Sequence, residues 1–246
     1  YKAHAKFDGG SSYYVWRSGI KHDAAKIMEF TQDGQKLING LGEVVEIEND
    51  YVYPLLKSSD LGNGRIAIRK SVLVTQRCTG SDTSEIEHKA PKTWAYLLRH
   101  SDVLDRRKSS IYKNRPRFSI FGIGPYSFAP WKVAISGLYK KLSFVLVPPC
   151  NGRPIMVDDT CYSIPCKSEK EAALIHCLLS SEEAKAFLES LIFSDSKRPI
   201  TIDVLRRISF EELARCFDKL DEFNKYMHPD SNDIKTNDQL TLFDKS

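Results

Sequence analysis

Residues 118 to 166 read FSIFGIGPYSFAPWKVAISGLYKKLSFVLVPPCNGRPIMVDDTCYSIPC. Four short apolar runs, at 118–121, 131–137, 142–148 and 155–166, are rich in aromatic and β-branched residues and are broken by Gly-Pro and Asn-Gly pairs. That is the pattern of strands punctuated by turns, and it predicts four strands in one sheet. Two basic-aromatic clusters interrupt the runs, Pro130-Trp131-Lys132 and Tyr139-Lys140-Lys141.

Beyond Cys166 the period becomes helical. Ser168 and Glu171 form one capping box, Ser180 or Ser181 caps the next helix, and Ser209 with Glu212 forms a second box. Upstream, KIMEF-TQDG-QKLIN predicts a hairpin about an Asp-Gly turn, and EVVEIE a further strand. DYVYPLLKSSDL reads as a short helix or turn ending at Lys57. RIAIRKSVLVTQ (65–76) alternates basic and apolar residues, so Arg65, Arg69 and Arg77 fall toward one side of a strand. Pro91 opens a helix whose apolar positions include Trp94, a core residue by its spacing. The expected fold is α/β of the α+β type: a mixed, mostly antiparallel sheet from 27–76 and 118–166, backed by helices at about 91–108, 168–193 and 201–226. The polar segment 228–246 is expected to be a flexible tail.

The formal net charge is only +4, but it is segregated. Residues 57–141 hold 17 Lys and Arg against 6 Asp and Glu, net +11, which leaves 19 against 26, net −7, elsewhere. A surface so polarised suits a polyanion. The densest run, Arg106-Arg107-Lys108-Ser109-Ser110-Ile111-Tyr112-Lys113-Asn114-Arg115-Pro116-Arg117, interleaves cations with neutral donors that commonly meet phosphate oxygens. No run has the length and apolarity of a membrane span, and the sequence shows no basic-then-apolar leader, so a cytoplasmic location is expected. The six cysteines show no CxxC pair. Cys161, Cys166 and the His176-Cys177 pair do not have zinc-finger or zinc-ribbon spacing, and no metal is assigned.

The order FGIGPYSFAPWKVAISGLYKKL, then MVDDTCYSIPC, then SEKEAALIHCLLSSEEAKAFLESL and SKRPIT resembles the C-terminal part of bacterial adenine-N6 DNA methyltransferases of restriction–modification systems. WRSGIKHDAAK, YPLLKSSDL and RKSSIY add to the likeness, which spans roughly residues 13 to 215. The resemblance implies a target-recognition domain at 57–227 that binds double-stranded DNA, preceded by a junction region at 1–56. It also implies an N-terminal methyltransferase domain, absent from this chain, as the partner that would hold S-adenosylmethionine. A methyl-transfer site needs an Asn- or Asp-Pro-Pro-aromatic loop around the flipped base. The one Pro-Pro here stands in Val147-Pro148-Pro149-Cys150, and none of the Gly-x-Gly triplets at 40–42, 62–64 and 122–124 opens a helix. No cofactor is therefore expected in this chain.

The candidate DNA contacts are Lys57, Arg65, Arg69, Lys70, Gln76, Arg77, Arg106, Arg107, Lys108, Tyr112, Lys113, Arg115, Arg117, Tyr126, Trp131, Lys132, Lys140 and Lys141. The 106–117 run is the expected backbone clamp. The polar loop 75–90, through Gln76, Arg77, Ser81, Asp82 and Thr83, is the expected reader of bases. Gln239-Leu240-Thr241-Leu242-Phe243 resembles the peptide by which bacterial proteins dock on the replication sliding clamp, a further expected partner. Two other classes stay open. One is a protein-docking module of a multi-subunit restriction–modification complex. The other is a nuclease built on Asp60 and Glu87-His88-Lys89, a weak pattern because Glu183-Ala184-Lys185 repeats it within a helix.

Overall fold

The computed structural model describes residues 2–64, 66–192 and 199–227. Among them the strands are, in chain order, β1 (Arg17–Ser18), β2 (Glu29–Asp33), β3 (Lys36–Asn39), β4 (Val44–Val45), β5 (Val52–Leu56), β6 (Lys70–Leu73), β7 (Trp131–Ser136), β8 (Val145–Val147), β9 (Met156–Val157) and β10 (Cys161–Cys166). They form two sheets rather than the single one expected. One has the order β4-β3-β2-β6-β5-β9 and the other β1-β10-β7-β8. Every pairing is antiparallel except β5 with β9, where Leu55 faces Met156 and Leu56 faces Val157. The fold is mixed α/β with mostly antiparallel sheets backed by helices, as expected.

The 118–166 stretch divides between the sheets because of a turn at Asp158. Its carboxylate accepts from the Thr160 backbone N–H at 3.0 Å, and its carbonyl accepts from Cys161 N–H at 3.0 Å. The chain therefore leaves β9 in one sheet and re-emerges as β10 in the other. The N-terminal segment stitches this seam: Gly19 N–H donates to Cys161 O at 3.1 Å and Ile20 N–H to Val157 O at 2.7 Å. Gly19 lies so close to the carbonyls of Val157 and Asp158 that a Cβ there would sit 2.1 Å from an oxygen. The run 118–121 makes no strand. Phe118 takes φ +65°, and the segment's polar groups are met by side chains: Thr75 Oγ1 donates to Phe118 O at 2.8 Å, and the Gln76 amide oxygen accepts from Ile120 N–H at 2.9 Å.

The hairpin β2–β3 forms as expected, Asp33 facing Lys36 across Gly34 at φ +58°. DYVYPLLKSSDL is instead strand β5 followed by the helix α2 (Ser58–Gly62); α1 (Ala25–Met28) is a single turn before β2. Val52, Tyr53, Leu55 and Leu56 are all buried, and a strand covered on both faces lacks the alternation that would set it apart from a helical turn. Only Lys70–Leu73 of RIAIRKSVLVTQ is strand β6.

The helix expected at 91–108 breaks at His100 into α4 (Pro91–Arg99) and α5 (Ser101–Asp105), with α3 (Ile86–Lys89) before it. Downstream, α6 (Glu169–Ser180) is capped by Ser168, α7 (Glu182–Glu189) by Ser181, α8 (Ile202–Leu205) by Thr201 and α9 (Phe210–Cys216) by Ser209; α10 (Leu220–Met227) follows.

Three apolar clusters hold these parts together. Val133, Ile135, Tyr162 and Ile164 on one face of the four-stranded sheet pack with Trp16, Phe187 and Phe210 under the C-terminal helices. Phe30, Leu55, Val72 and Leu73 of the six-stranded sheet pack with Tyr96, Leu97, Phe118 and Ile120. Between the sheets lie Leu56, Leu61, Ala134, Val145, Val147, Val157 and Cys161. Trp94 meets Phe118 edge-on with centroids 5.4 Å apart, the core role its spacing predicts. Arg65 and the clamp-like residues Gln239, Leu240, Leu242 and Phe243 lie outside the described residues.

Candidate nucleic-acid interface

The structure divides the expected DNA contacts into those the fold consumes and those it leaves free. Lys57 and Lys70 belong to the first group. Both converge on the buried Glu29 of β2, Lys57 Nζ to Oε1 at 2.8 Å and Lys70 Nζ to Oε2 at 2.7 Å, and Lys57 also meets Asp158 at 3.1 Å. Burial opposes ionisation of Glu29, but hydrogen bonds from His22, Lys57 and Lys70 outweigh it and hold the carboxyl well below its ordinary value. Arg69 is largely exposed and pairs with the buried Asp60 at 3.2 Å. Gln76 is buried, gripping Ser81 O and Ile120 N–H, and Thr83 is buried on Arg117 O, so neither faces a base.

The expected backbone clamp is also split. Arg107 donates to the carbonyls of Leu104 at 2.8 Å, Ser119 at 2.7 Å and His22 at 3.2 Å, with its guanidinium 3.7 Å above the Tyr112 ring. Tyr112 in turn packs edge-on against Phe121. This pair staples the 106–117 loop to the body and is not available to phosphates. Arg117 is held by Asp105 at 2.7 Å, while Arg106 and Asp102, both well exposed, stand 3.9 Å apart.

Lys132 is the largest correction. It points from β7 into the layer between the sheets, only 2% exposed, with Nζ donating to Ala129 O at 2.7 Å. Desolvation pushes its pKa down to about 7. A residue in a basic-aromatic cluster reads as surface; here the strand's alternation turns it inward with Ala134 and Ser136. Trp131, its neighbour, is half-buried against the helical core.

The cations left without a carboxylate or hydrogen-bond partner among the described residues include Arg17, Arg77, Lys108, Lys113, Arg115, Lys140 and Lys141, all exposed. Five of these belong to adjoining segments. Loop 77–80 lies against 115–128: Thr79 N–H and Oγ1 both donate to Ile123 O, at 3.2 and 3.1 Å, and Arg115 reaches within 3.7 Å of the position a Cβ on Gly80 would take. Arg77 lies 4.4 Å over Phe128, which meets Tyr53 edge-on, and Arg17 lies 5.0 Å over Tyr126. Lys108 and Lys113 stand on the same loop as Arg115. Lys140 and Lys141 are elsewhere, beyond the opposite end of β7, on a turn whose Tyr139 ring packs onto Gly62.

Two hollows border this surface and share Tyr53. One, about 540 Å³, is lined by Tyr51, Gln76, Arg77, Asp82, Glu85 and Lys89. The other, a groove of about 780 Å³ over the six-stranded sheet, is lined by Gln32, Arg69, Lys70, Lys92, Asn151 and Arg153. Sequence reasoning missed Arg153, which bonds Asn49 O and Val52 O at 2.7 Å each and lies 5.7 Å from the Tyr53 ring. No charge pattern marks it, because it stands outside the 57–141 segment.

The other chemistries find no assembled site. Asp60 is taken up by Lys57 N–H and Arg69, Glu87 is exposed on α3, and no three His, Cys, Asp or Glu side chains among the described residues gather around a common point. Cys161 bonds Asp158 at 3.4 Å; burial, and then the nearby carboxylate, push its thiol up. The 122–124 triplet is not open as a phosphate or nucleotide cradle would be. A Cβ at Gly122 would lie 2.0 Å from Gly19 O, so backbone fills the space.

No protein-family model matches the chain. Over 201 residues, 81% of its length, it is 49% identical to the type II methyltransferase M.NspV of a Nostoc species. That match covers 42% of the relative, so the chain spans less than half the length of the curated protein it resembles. Among solved structures, the type IIL restriction–modification enzyme MmeI, determined in complex with DNA, overlaps 70% of this chain and 21% of its own at 19% identity. Its TM-score of 0.42 is too low for that likeness to bear on the fold or the site.

Proposed function

We propose that this chain is the target-recognition part of an adenine-N6 DNA methyltransferase of a restriction–modification system. It binds duplex DNA in a sequence-dependent way and presents the target adenine to a methyl-transfer domain belonging to the rest of a longer protein. That domain, and not this chain, would hold S-adenosylmethionine. The observation that carries the reading is the set of five exposed cations without a carboxylate or hydrogen-bond partner among the described residues, on adjoining segments, Arg17, Arg77, Lys108, Lys113 and Arg115, within a chain 49% identical over 201 residues to a type II methyltransferase. Such cations release counterions from DNA, and that release gives affinity a steep salt dependence.

The test is a titration of a fluorescent duplex over a salt series, comparing the chain with a variant carrying Lys108→Ala, Lys113→Ala and Arg115→Ala. These three side chains anchor nothing, so the variant should fold normally. Binding should weaken steeply with salt, and the variant's slope should be shallower by up to about 3, one per lost phosphate contact. A folded chain that shows no binding at low salt would overturn the reading and favour the docking of a protein subunit on this surface.

A further inference from the structure

Most of the chain's described arginines are spent on its own atoms. Arg107 and Arg153 bind backbone carbonyls, and Arg69, Arg106, Arg117, Arg206, Arg207 and Arg215 pair with carboxylates. Arg17 and Arg77 differ. Neither has a carboxylate or hydrogen-bond partner among the described residues, both are exposed, and each guanidinium is held against an aromatic ring. The two rings, Tyr126 and Phe128, stand two residues apart on one 3-10 turn, Pro125–Phe128.

Several contacts brace that turn. Ser127 N–H donates to Gly124 O at 2.9 Å, Lys132 Nζ supports Ala129 O from beneath at 2.7 Å, and Gly122 abuts Gly19 with no room for a side chain. The Phe128 ring meets the buried Tyr53 edge-on, and the Arg77 guanidinium lies near both rings, 4.4 Å from Phe128 and 5.9 Å from Tyr53. A rigid turn thus presents two guanidinium groups whose donors are all unspent.

Fixing an arginine by stacking removes part of the rotamer freedom it would otherwise lose on binding. The guanidinium fork matches two adjacent acceptors, which in duplex DNA means guanine O6 and N7 in the major groove. A cation meant only for phosphate needs no such preorganisation, and the neighbouring Lys108, Lys113 and Arg115 have none.

We infer that Arg17 and Arg77 are base-reading residues that each recognise a guanine, so that the target contains G·C pairs read from the 125–128 turn. This rests on the DNA-recognition reading above, and it replaces the buried Gln76 and Thr83 as the source of specificity.

The test is selection from a random-sequence duplex pool with the full chain and with the Arg17→Lys and Arg77→Lys variants. Lysine keeps the charge and loses the fork. The chain should enrich a motif containing G·C pairs, and each variant should lose about 5- to 150-fold preference at one G·C position with an unchanged salt slope. A Phe128→Leu variant should erode the same position as Arg77→Lys, which a purely structural role would not do. The inference is overturned if the motif survives both lysine variants, if they weaken selected and unrelated duplexes equally, or if the chain binds duplexes without enriching any sequence. Absence of all binding would instead remove the DNA-recognition reading itself.

Discussion

Replacing Lys132 by methionine should stabilise the protein near neutral pH, and the gain should disappear as the medium becomes alkaline. Lys132 is buried between the sheets with one carbonyl partner, and its folded pKa falls to about 7, against about 10.5 in the unfolded chain. Between those values the unfolded state binds a proton that the native state does not. By linkage, the stability of the wild type therefore rises with pH across that window. The rise is about 1.4 kcal/mol per pH unit once the native lysine is neutral, or about 2.5 kcal/mol from about pH 6 to about pH 9. Methionine has no proton to lose and fills similar space, at the cost of about 1 kcal/mol for the unsatisfied Ala129 carbonyl. Urea unfolding of both proteins across this range measures the difference directly. Parallel stability profiles would refute the neutral buried lysine, and a Lys132→Met protein that binds DNA with a lower salt slope would return this residue to the surface.

The Glu29→Gln variant removes the carboxylate on which Lys57 and Lys70 converge, and it should cost about 3 kcal/mol, the low end for a broken buried pair because both lysines keep some contact with water. Because the folded pKa of Glu29 is depressed, its contribution is present above the ordinary carboxylate value and is lost as pH falls toward the folded one. The variant should therefore show a flatter acid limb in thermal melts, and an unchanged limb would contradict the network. For Arg107→Ala, three carbonyls lose their donor and Tyr112 its cover, so about 2 to 4 kcal/mol of stability should go with the salt slope of DNA binding intact. An unchanged Tm with a shallower slope would put Arg107 on phosphate after all.

What could be read in advance was local. The caps at Ser168, Ser181 and Ser209 and the hairpin at Gly34 depend on a few adjacent residues, and they form where expected. Strand partners were not legible, because the assignment of β9 and β10 to different sheets rests on the Asp158 turn and on the passage of Gly19 between them, a residue far away in the chain. β5 is not legible in the sequence, because a strand covered on both faces has no alternation to detect. The basic segment was real as composition, yet roles within it were decided by partners that composition does not show. Glu29, Asp60, Asp105 and the carbonyls around Arg107 claim some cations and leave others free. Arg17 stands outside the basic segment; the signal it offers is a cation directly after Trp16, which is buried while Arg17 itself is exposed at the start of β1.

The parallel pairing of β5 with β9 bears on how the chain reaches this structure. Leu55 and Met156 meet across about a hundred intervening residues, and Arg17 waits still longer for Ser163. A nascent chain has therefore made much of one sheet, and the outermost strand of the other, before the strand that completes either has left the ribosome. Until then β5 carries a row of unpaired backbone groups, the kind of edge that recruits other chains. Closing such distant contacts is slow by topology, so the folding rate should be set by the arrival of residues 156–166 and not by the helices that follow.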